Sequence, residues 1–274
     1  MTVGDAIRAA AARLAATSDT ARLDAEVLMG HALGLTRSDM LLRAMREPAP
    51  TAFAALIERR MAHEPVAYIT GSAEFYGLPL AVTPATLIPR GDSETLVAAA
   101  LERAGDTGHA LDLGTGSGAL LLALLAHRPQ WHGTGIDASP QALAVAKSNA
   151  CTLGLAQRSA WLLRNWHEHG WNEDIGPFDL ILANPPYVEN DAALDAQVRD
   201  YEPASALFAG PEGLDDYRAF IPQLGALMAP GACAILEIGA RQAAAVSAIA
   251  QEAGFTCDLA RDLAGRDRAL ILTA

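Results

Sequence analysis

The chain is poor in aromatics, in cysteine and in long apolar runs. Only 5% of its 274 residues are Phe, Trp or Tyr, although 51% are hydrophobic. A core must therefore be filled mostly by Ala, Leu, Val and Ile. No apolar run reaches the roughly 18 residues that a membrane-crossing helix needs, so no membrane association is expected. The three cysteines, Cys151, Cys233 and Cys257, are odd in number and form no Cys-x-x-Cys pair. They read as reduced thiols, with Cys233 and Cys257 set in apolar strand-like runs. The first residues carry Asp5 and Asp19 and lack a basic start followed by an apolar block. A secretory leader is therefore not expected, and the expected compartment is the cytoplasm.

Basic charge is scarce as well. There are 20 Lys and Arg against 32 Asp and Glu, a formal net charge of -12. Residues 1–72 are balanced, 8 against 8, so the whole acidic excess falls after residue 72. Non-specific nucleic-acid affinity comes mainly from neutralised phosphates, and an acidic field opposes it. That argues against direct DNA binding. It leaves open a basic protein partner drawn in by the field.

Residues 1–72 read as a small helical unit. Val3, Ile7 and Leu14 recur near helical spacing, and Thr2 and Asp5 are placed as a capping box. A second helix is expected over 20–33, stopping at Gly34. A third is expected over 51–63, with Phe53, Leu56, Ile57 and Met61 on one face and Pro65 closing it. The unit shows no ligand chemistry, so it is either a cap over a larger domain or a docking module for a macromolecular substrate. Residues 73–90 form a joint: a β-hairpin over 74–82, broken by Gly77-Leu78-Pro79, then a stiff loop at 83–90 framed by Pro84 and Pro89.

From about residue 91 onward, strand and helix alternate. Strands are expected at 109–113, 133–137, 160–163, 179–183, 232–238, 255–259 and 269–273. Helices are expected at 93–104, 118–127, 139–153, 215–228 and 240–253. Such alternation predicts an α/β fold, a parallel sheet covered on both faces.

Two motifs carry chemistry. The run Asp112-Leu113-Gly114-Thr115-Gly116-Ser117-Gly118 ends one strand and opens a helix. Glycines let the backbone turn sharply and let a ligand approach, and helix N-terminal amides face it. Alone, this run also fits a tight turn. The next strand ends at Asp137, where a carboxylate can accept two ribose hydroxyls. A nicotinamide fingerprint usually has its third glycine three positions after the second, whereas Gly118 follows Gly116 by two. Asp112 suits a ligand with a cationic amino-acid tail better than a pyrophosphate.

The second motif, Asn184-Pro185-Pro186-Tyr187, follows the apolar strand Leu180-Ile181-Leu182-Ala183. An amide nitrogen is a weak nucleophile because its lone pair is delocalised. The Asn184 side-chain oxygen and the Pro185 carbonyl can accept hydrogen bonds from both of its N–H groups. The prolines stiffen the loop. Tyr187 can pack on a flat substrate group, and an aromatic face favours a nearby cation. In isolation the tetrapeptide also fits a strand-ending turn. Together, the two motifs point to methyl transfer from S-adenosylmethionine to an amide or amino nitrogen. His167-Glu168-His169 lacks a further ligand cluster and reads as a solvated loop, so no metal is expected. Asp191, Asp195, Asp200 and Glu202 read as a solvated or partner-facing surface. Glu237 takes no assignment.

On these residues the chain resembles the HemK/PrmC family, the release-factor glutamine methyltransferases, over nearly its whole length. Asp24-Ala25-Glu26-Val27-Leu28, the segment Thr83 to Arg90 with Asp92 and Glu94, the glycine run, Asp137, the tetrapeptide and Val198-Arg199-Asp200-Tyr201-Glu202-Pro203 carry the resemblance. The tetrapeptide alone is shared with adenine-N6 DNA methyltransferases; the Ile88-Pro89-Arg90 and 199–203 context makes the match specific. The resemblance implies a seven-stranded, Rossmann-like class I methyltransferase domain at 91–274, with its last strand antiparallel, and a helical bundle at 1–72 that docks the substrate. The implied substrate is the glutamine of the Gly-Gly-Gln motif in peptide-chain release factors, and the implied product of the donor is S-adenosylhomocysteine. Carried over by position, Asp112, Gly114, Thr115, Gly116, Gly118, Asp137, Asn165, Trp166 and Asn184 would meet the donor. Asn184 and Pro185 would hold the glutamine amide, with Phe75, Pro186 and Tyr187 around it. Asn165 stands where the family often has Asp, and Gly91 where it often has Pro, which predicts a looser loop. Adenine amino-methylation of nucleic acid and a non-catalytic donor-binding module stay as alternatives, and the oligomeric state stays open.

Overall fold

A computed structural model describes all 274 residues. The chain divides into two compact units. One comprises residues 1–72 together with 194–201, and the other 73–193 and 202–274.

In the first unit, α1 (Val3–Leu14) starts at the expected capping box, with the Asp5 amide donating to Thr2 Oγ1 at 3.2 Å. Helix α2 (Ala21–Leu33) stops at Gly34, which takes the left-handed conformation at φ 65°. The chain then makes a short turn, α3 (Arg37–Asp39), that runs into a π-helical stretch at Met40–Ala44, followed by α4 (Ala52–Met61) and α5 (Val66–Thr70). Val3, Ile7, Leu28, Met29, Met40, Phe53 and Ile57 form its core. On α4 the buried positions are Phe53, Ile57 and Arg60, while Leu56 and Met61 are only half-buried. Arg60 is inside because Asp24 is: Nε meets Oδ2 at 2.7 Å, and the Ser18 and Thr20 hydroxyls donate to the same carboxylate, each at 2.8 Å. Glu26 is also buried and receives Arg22 at 2.6 Å and Arg37 at 2.6 Å. Segment 194–201 joins this unit through Tyr201, whose hydroxyl donates to the Ala62 carbonyl at 2.7 Å.

The second unit opens with a hairpin, β1 (Ser72–Phe75) and β2 (Leu78–Ala81). Its break lies at Tyr76-Gly77, both at positive φ, and not at Gly77-Leu78-Pro79. A two-residue turn with two positive φ values matches the twist of the paired strands, and Pro79 sits in the second strand. There follow α6 (Glu94–Arg103), β3 (Thr107–Leu113), α7 (Ala119–His127), β4 (Gln130–Asp137), α8 (Pro140–Thr152), β5 (Ser159–Leu163) and β6 (Phe178–Ala183). The turn α9 (Ala196–Arg199) lies in the segment assigned to the first unit. The rest is α10 (Asp215–Phe220), β7 (Met228–Glu237), α11 (Ala243–Glu252), β8 (Thr256–Arg261) and β9 (Asp267–Thr273). The helix expected over 215–228 ends at 220 and continues as a 3-10 run over Ile221–Leu227. Pro222 lacks the N–H that an α-helix would need there.

The seven strands are ordered β5-β4-β3-β6-β7-β9-β8, and only β9 is antiparallel to its neighbours. This is the Rossmann-like class I arrangement. Alternate residues of each central strand feed two separate cores. Ala110, Leu180, Leu182 and Ile235 pack with the leucines of α7 on one face. Leu111, Leu113, Ile181 and Leu236 pack with Tyr217, Phe220 and Val246 on the other. Strand order reverses at β3, between β4 and β6. In open sheets, ligands bind where order reverses, beyond the carboxyl ends of the strands. Those ends carry Asp112, Asp137 and Asn184.

Candidate active site

A cleft of about 520 Å³ opens at this point, walled by residues from the glycine run, the ends of β4 and β6, and the loop at 85–89. The fold brings Phe75, Asp112, Gly114, Thr115, Gly116, Asp137, Asn165, Trp166, Asn184 and Pro186 onto one wall surface. Gly118, Pro185 and Tyr187 are not part of that wall. Gly118, at φ 83°, serves close packing: a Cβ there would meet Leu122, Trp161 and Ala146 at 3.0 to 3.3 Å.

Asp112 is buried. Its Oδ2 accepts from the Thr115 hydroxyl at 2.6 Å, and its Oδ1 has no partner. Burial pushes its carboxyl up to about 7. Asp137 holds the glycine loop: Oδ2 accepts from the Gly116 amide at 2.9 Å and Oδ1 from the Ser139 amide at 2.8 Å. Burial raises Asp137 as well, against the pull of those amides. The Gly116 backbone is open on its Cα side, where a Cβ would meet nothing closer than 4.0 Å. A carboxylate oxygen without a partner and a bare glycine backbone fit a donor with a cationic amino-acid tail, as S-adenosylmethionine has.

Trp166 lies over Gly114, where a Cβ would come within 3.0 Å of the indole. The indole N–H donates to Asp216 Oδ1 at 2.7 Å, and its ring meets Phe220 edge-on at 5.7 Å. His167 is a wall residue of the exposed loop and pairs through Nε2 with the same Asp216 oxygen at 2.9 Å. Asn165 accepts from the His167 amide through Oδ1. Sequence reasoning missed Asp216, which opens α10 and lies far along the chain from the tryptophan it holds.

Around the tetrapeptide, the Asn184 side-chain NH2 donates to Ser93 Oγ at 3.2 Å. Ser93 donates to Glu237 Oε2, and the Tyr187 hydroxyl donates to Glu237 Oε1 at 3.2 Å. Tyr217 donates to the Glu237 carbonyl at 2.6 Å. Burial raises both the Glu237 carboxyl and the Tyr187 phenol. The Gln242 amide donates to the carbonyls of Tyr187 and Gly213, fixing the backbone end of the loop.

Three more links hold the cleft's rim. Glu202 is buried and accepts from Arg90 and from the Ile88 amide, so it is not the surface acid expected from its acidic neighbours. Glu94 accepts from the Tyr76 amide at 2.9 Å. Asn149 on α8 pairs with both the N–H and the carbonyl of Ala81 and also donates to the Ser117 carbonyl, tying β2 to the glycine run. No sequence pattern marked Asn149, because a buried amide breaks the apolar face it sits on. Gly91 lies at ordinary φ with nothing within 4 Å of a Cβ, between the Arg90–Glu202 and Asp92–Arg268 pairs. The loop expected to be loosened by Gly91 is clamped on both sides.

Residues 5–71 match the family model described as the PrmC N-terminal domain, and residues 91–201 that described as the methyltransferase small domain. A protein from Bradyrhizobium diazoefficiens named release factor glutamine methyltransferase is 42% identical over 98% of this chain and 93% of its own length. A protein of the same name from Cereibacter sphaeroides is 42% identical over 98% of this chain and 97% of its own. Among solved structures, the hMettl16 catalytic domain in complex with a 3'UTR hairpin aligns with a TM-score of 0.57 at 15% identity, over 72% of this chain and 76% of that one, a likeness of fold. By near-full-length identity well above 30%, this chain belongs to the family of release factor glutamine methyltransferases.

Proposed function

We propose that this chain transfers a methyl group from S-adenosylmethionine to the side-chain nitrogen, N5, of the glutamine in the Gly-Gly-Gln motif of peptide-chain release factors. Its near-full-length relatives carry the name release factor glutamine methyltransferase. The observation that carries the chemistry is the pairing, on one cleft wall, of an unpartnered buried carboxylate oxygen at Asp112 with the carboxamide of Asn184.

S-adenosylmethionine supplies a methyl group bonded to a cationic sulfur. Asp112 and the bare glycine backbone are assigned to the donor's charged tail, Asp137 to its ribose, and Asn165 and Trp166 to its base. Asn184 Oδ1 and the Pro185 carbonyl are assigned to the two N–H groups of the glutamine amide. Held by two acceptors, that nitrogen is aligned with the methyl carbon. The new N–C bond forms as the C–S bond breaks, and the nitrogen gives up one proton. Positioning supplies most of the acceleration, because an oriented pair avoids the entropy of a chance encounter. Phe75, Pro186 and Tyr187 are assigned to the surroundings of the glutamine. Residues 1–72 are assigned to docking the release factor, a role that fits their balanced charge and the absence of any of their residues from the cleft wall. No helix is long and apolar enough to cross a membrane, and a translation factor as substrate fits the cytoplasm.

The test is a mass spectrum of a release factor after incubation with this protein and S-adenosylmethionine. One added methyl group on the Gly-Gly-Gln glutamine is expected. An unmodified factor, with donor binding shown separately, would overturn the reading.

A further inference from the structure

Asn184 is useful only one way round. Its side-chain oxygen and NH2 group have almost the same shape, so packing alone does not choose between the two orientations of the carboxamide. Hydrogen bonding does. With the oxygen facing the cleft, the residue accepts from a substrate N–H. With the NH2 facing the cleft, two donors confront each other and the substrate nitrogen is turned away.

The geometry points to Glu237, acting through Ser93, as the pair of positioning residues that sets the polarity of Asn184. The inference rests on the function proposed above. Glu237 is the last residue of β7, and Ser93 stands at the start of α6; both are buried, at 1% and 3% exposure. Each Glu237 carboxylate oxygen accepts one hydroxyl, Ser93 on Oε2 and Tyr187 on Oε1. A serine hydroxyl has one proton. Ser93 gives it to the carboxylate, so toward Asn184 its oxygen can only accept. Asn184 must therefore offer its NH2 to Ser93, at 3.2 Å. Oδ1, with both lone pairs, is left for the substrate. The acceptor character of one carboxylate is passed along two hydrogen bonds and emerges as an acceptor on the cleft wall. The same carboxylate fixes Tyr187, so both ends of the tetrapeptide take their register from one group.

Replacing Glu237 by Gln keeps the shape and turns one acceptor into a donor. Where that donor faces Ser93, the serine proton swings to Asn184 and the carboxamide reverses. Replacing Ser93 by Ala removes the discriminator, whereas Ser93→Thr keeps the hydroxyl.

The experiment uses the full chain with a release factor that the parent methylates. If the parent methylates none, the proposed function fails, and the inference is then judged by resonance alone, as below. With an active parent, Ser93→Ala is expected to lower kcat by about tenfold or more, the scale of a misplaced reactive group. KM for the factor and donor affinity by calorimetry should stay within about twofold, since uniform binding is not what the chain provides. Ser93→Thr should restore most of kcat. In an Asn184→Ala background, Ser93→Ala should have almost no further effect, because groups acting as one unit are not additive. Glu237→Gln should lower kcat in the same manner; if that variant fails to fold, the Ser93 series decides. A parental kcat in Ser93→Ala, a failed rescue by Thr in a folded protein, or an undiminished Ser93 effect without Asn184 would each overturn the inference. Independently of turnover, nuclear magnetic resonance of the free protein should show a nuclear Overhauser contact between the Asn184 side-chain NH2 and the Ser93 methylene. Absence of that contact in an assigned spectrum would also overturn it.

Discussion

Two buried carboxylates of the helical unit and three beside the cleft of the sheet unit are held in opposite ways. In the helical unit, Asp24 has Arg60 at 2.7 Å, and Glu26 has both Arg22 and Arg37. Burial works against the Glu26 charge, yet the two guanidinium groups hold its carboxyl below the usual range. In the sheet unit, Asp112, Asp137 and Glu237 are met by hydroxyls and amides, with no cation in hydrogen-bonding contact. Burial lifts all three. Buried acids with cations at hand are complete, and they specify a packing arrangement. Buried acids without a cation, their carboxyls raised, are a common mark of a functional site. The same residue type thus separates scaffold from chemistry by what surrounds it.

The contrast is broken most severely at the scaffold end. Arg60→Ala leaves Asp24 buried without its cation, and stability should fall by about 3–5 kcal/mol. Urea unfolding of the two proteins measures this, and a midpoint unchanged from the parent would refute the division. At the chemical end, Asn184→Ala should leave that midpoint almost where it was while kcat drops about 100- to 1,000-fold, the range for losing one aligned polar group. Single-turnover rates beside donor titration test the claim; equal loss of donor affinity would assign Asn184 to the donor instead.

Asp112→Asn sharpens the comparison through pH. The folded carboxyl stands near 7, above its ordinary value of 3.8. A raised acid favours folding in its protonated form, so this stability is present below about pH 4 and is lost as pH rises through about 7. The asparagine variant should lose this part of the decline, as thermal melts of donor-free protein at several pH values would reveal. A cationic donor tail favours the ionised form. Donor binding near pH 6 should therefore release a proton from the parent and not from the variant, seen by calorimetry in buffers of different ionisation heat. Donor affinity of the variant at pH 8 should fall about 10- to 100-fold, the loss of a charged hydrogen bond. The smallest effect belongs to Gly91→Ala, where ordinary φ and open space permit a gain of about 0.4–1 kcal/mol from a less flexible unfolded chain. A loss of stability at this position would mean that the clamped loop needs glycine after all.

Patterns that depend on neighbours in sequence were legible. Strands with apolar cores stood out, and so did the glycine run, because Ala110, Leu111 and Leu113, and the unbroken apolar run 180–183, lead straight into turn chemistry. What failed to show were polar contributions to buried places. The expected 51–63 helix face counted Leu56 and Met61 and passed over Arg60, since a hydrophobic period cannot see a charge that is buried because its partner is. Strand β4 begins three residues earlier than expected, at Gln130, because Gln130 and His132 face outward on either side of a buried Trp131. At the site, residues inside contiguous motifs could be read, whereas Ser93, Asn149, Asp216 and Glu237 could not. The partners of their side chains lie 32 to 144 positions away, and only the folded chain brings them together.

Segment 194–201 makes residue 72 a boundary on paper only. The backbone passes between the units three times, near 72, near 193 and again near 201. An expression plasmid that begins at 73 would therefore carry eight residues that belong to the missing piece, and one that stops at 72 would lack them. Exchanging helical modules between relatives calls for moving two stretches of gene together. Evolution faces the same accounting: a recombination event at the apparent domain border delivers an incomplete module.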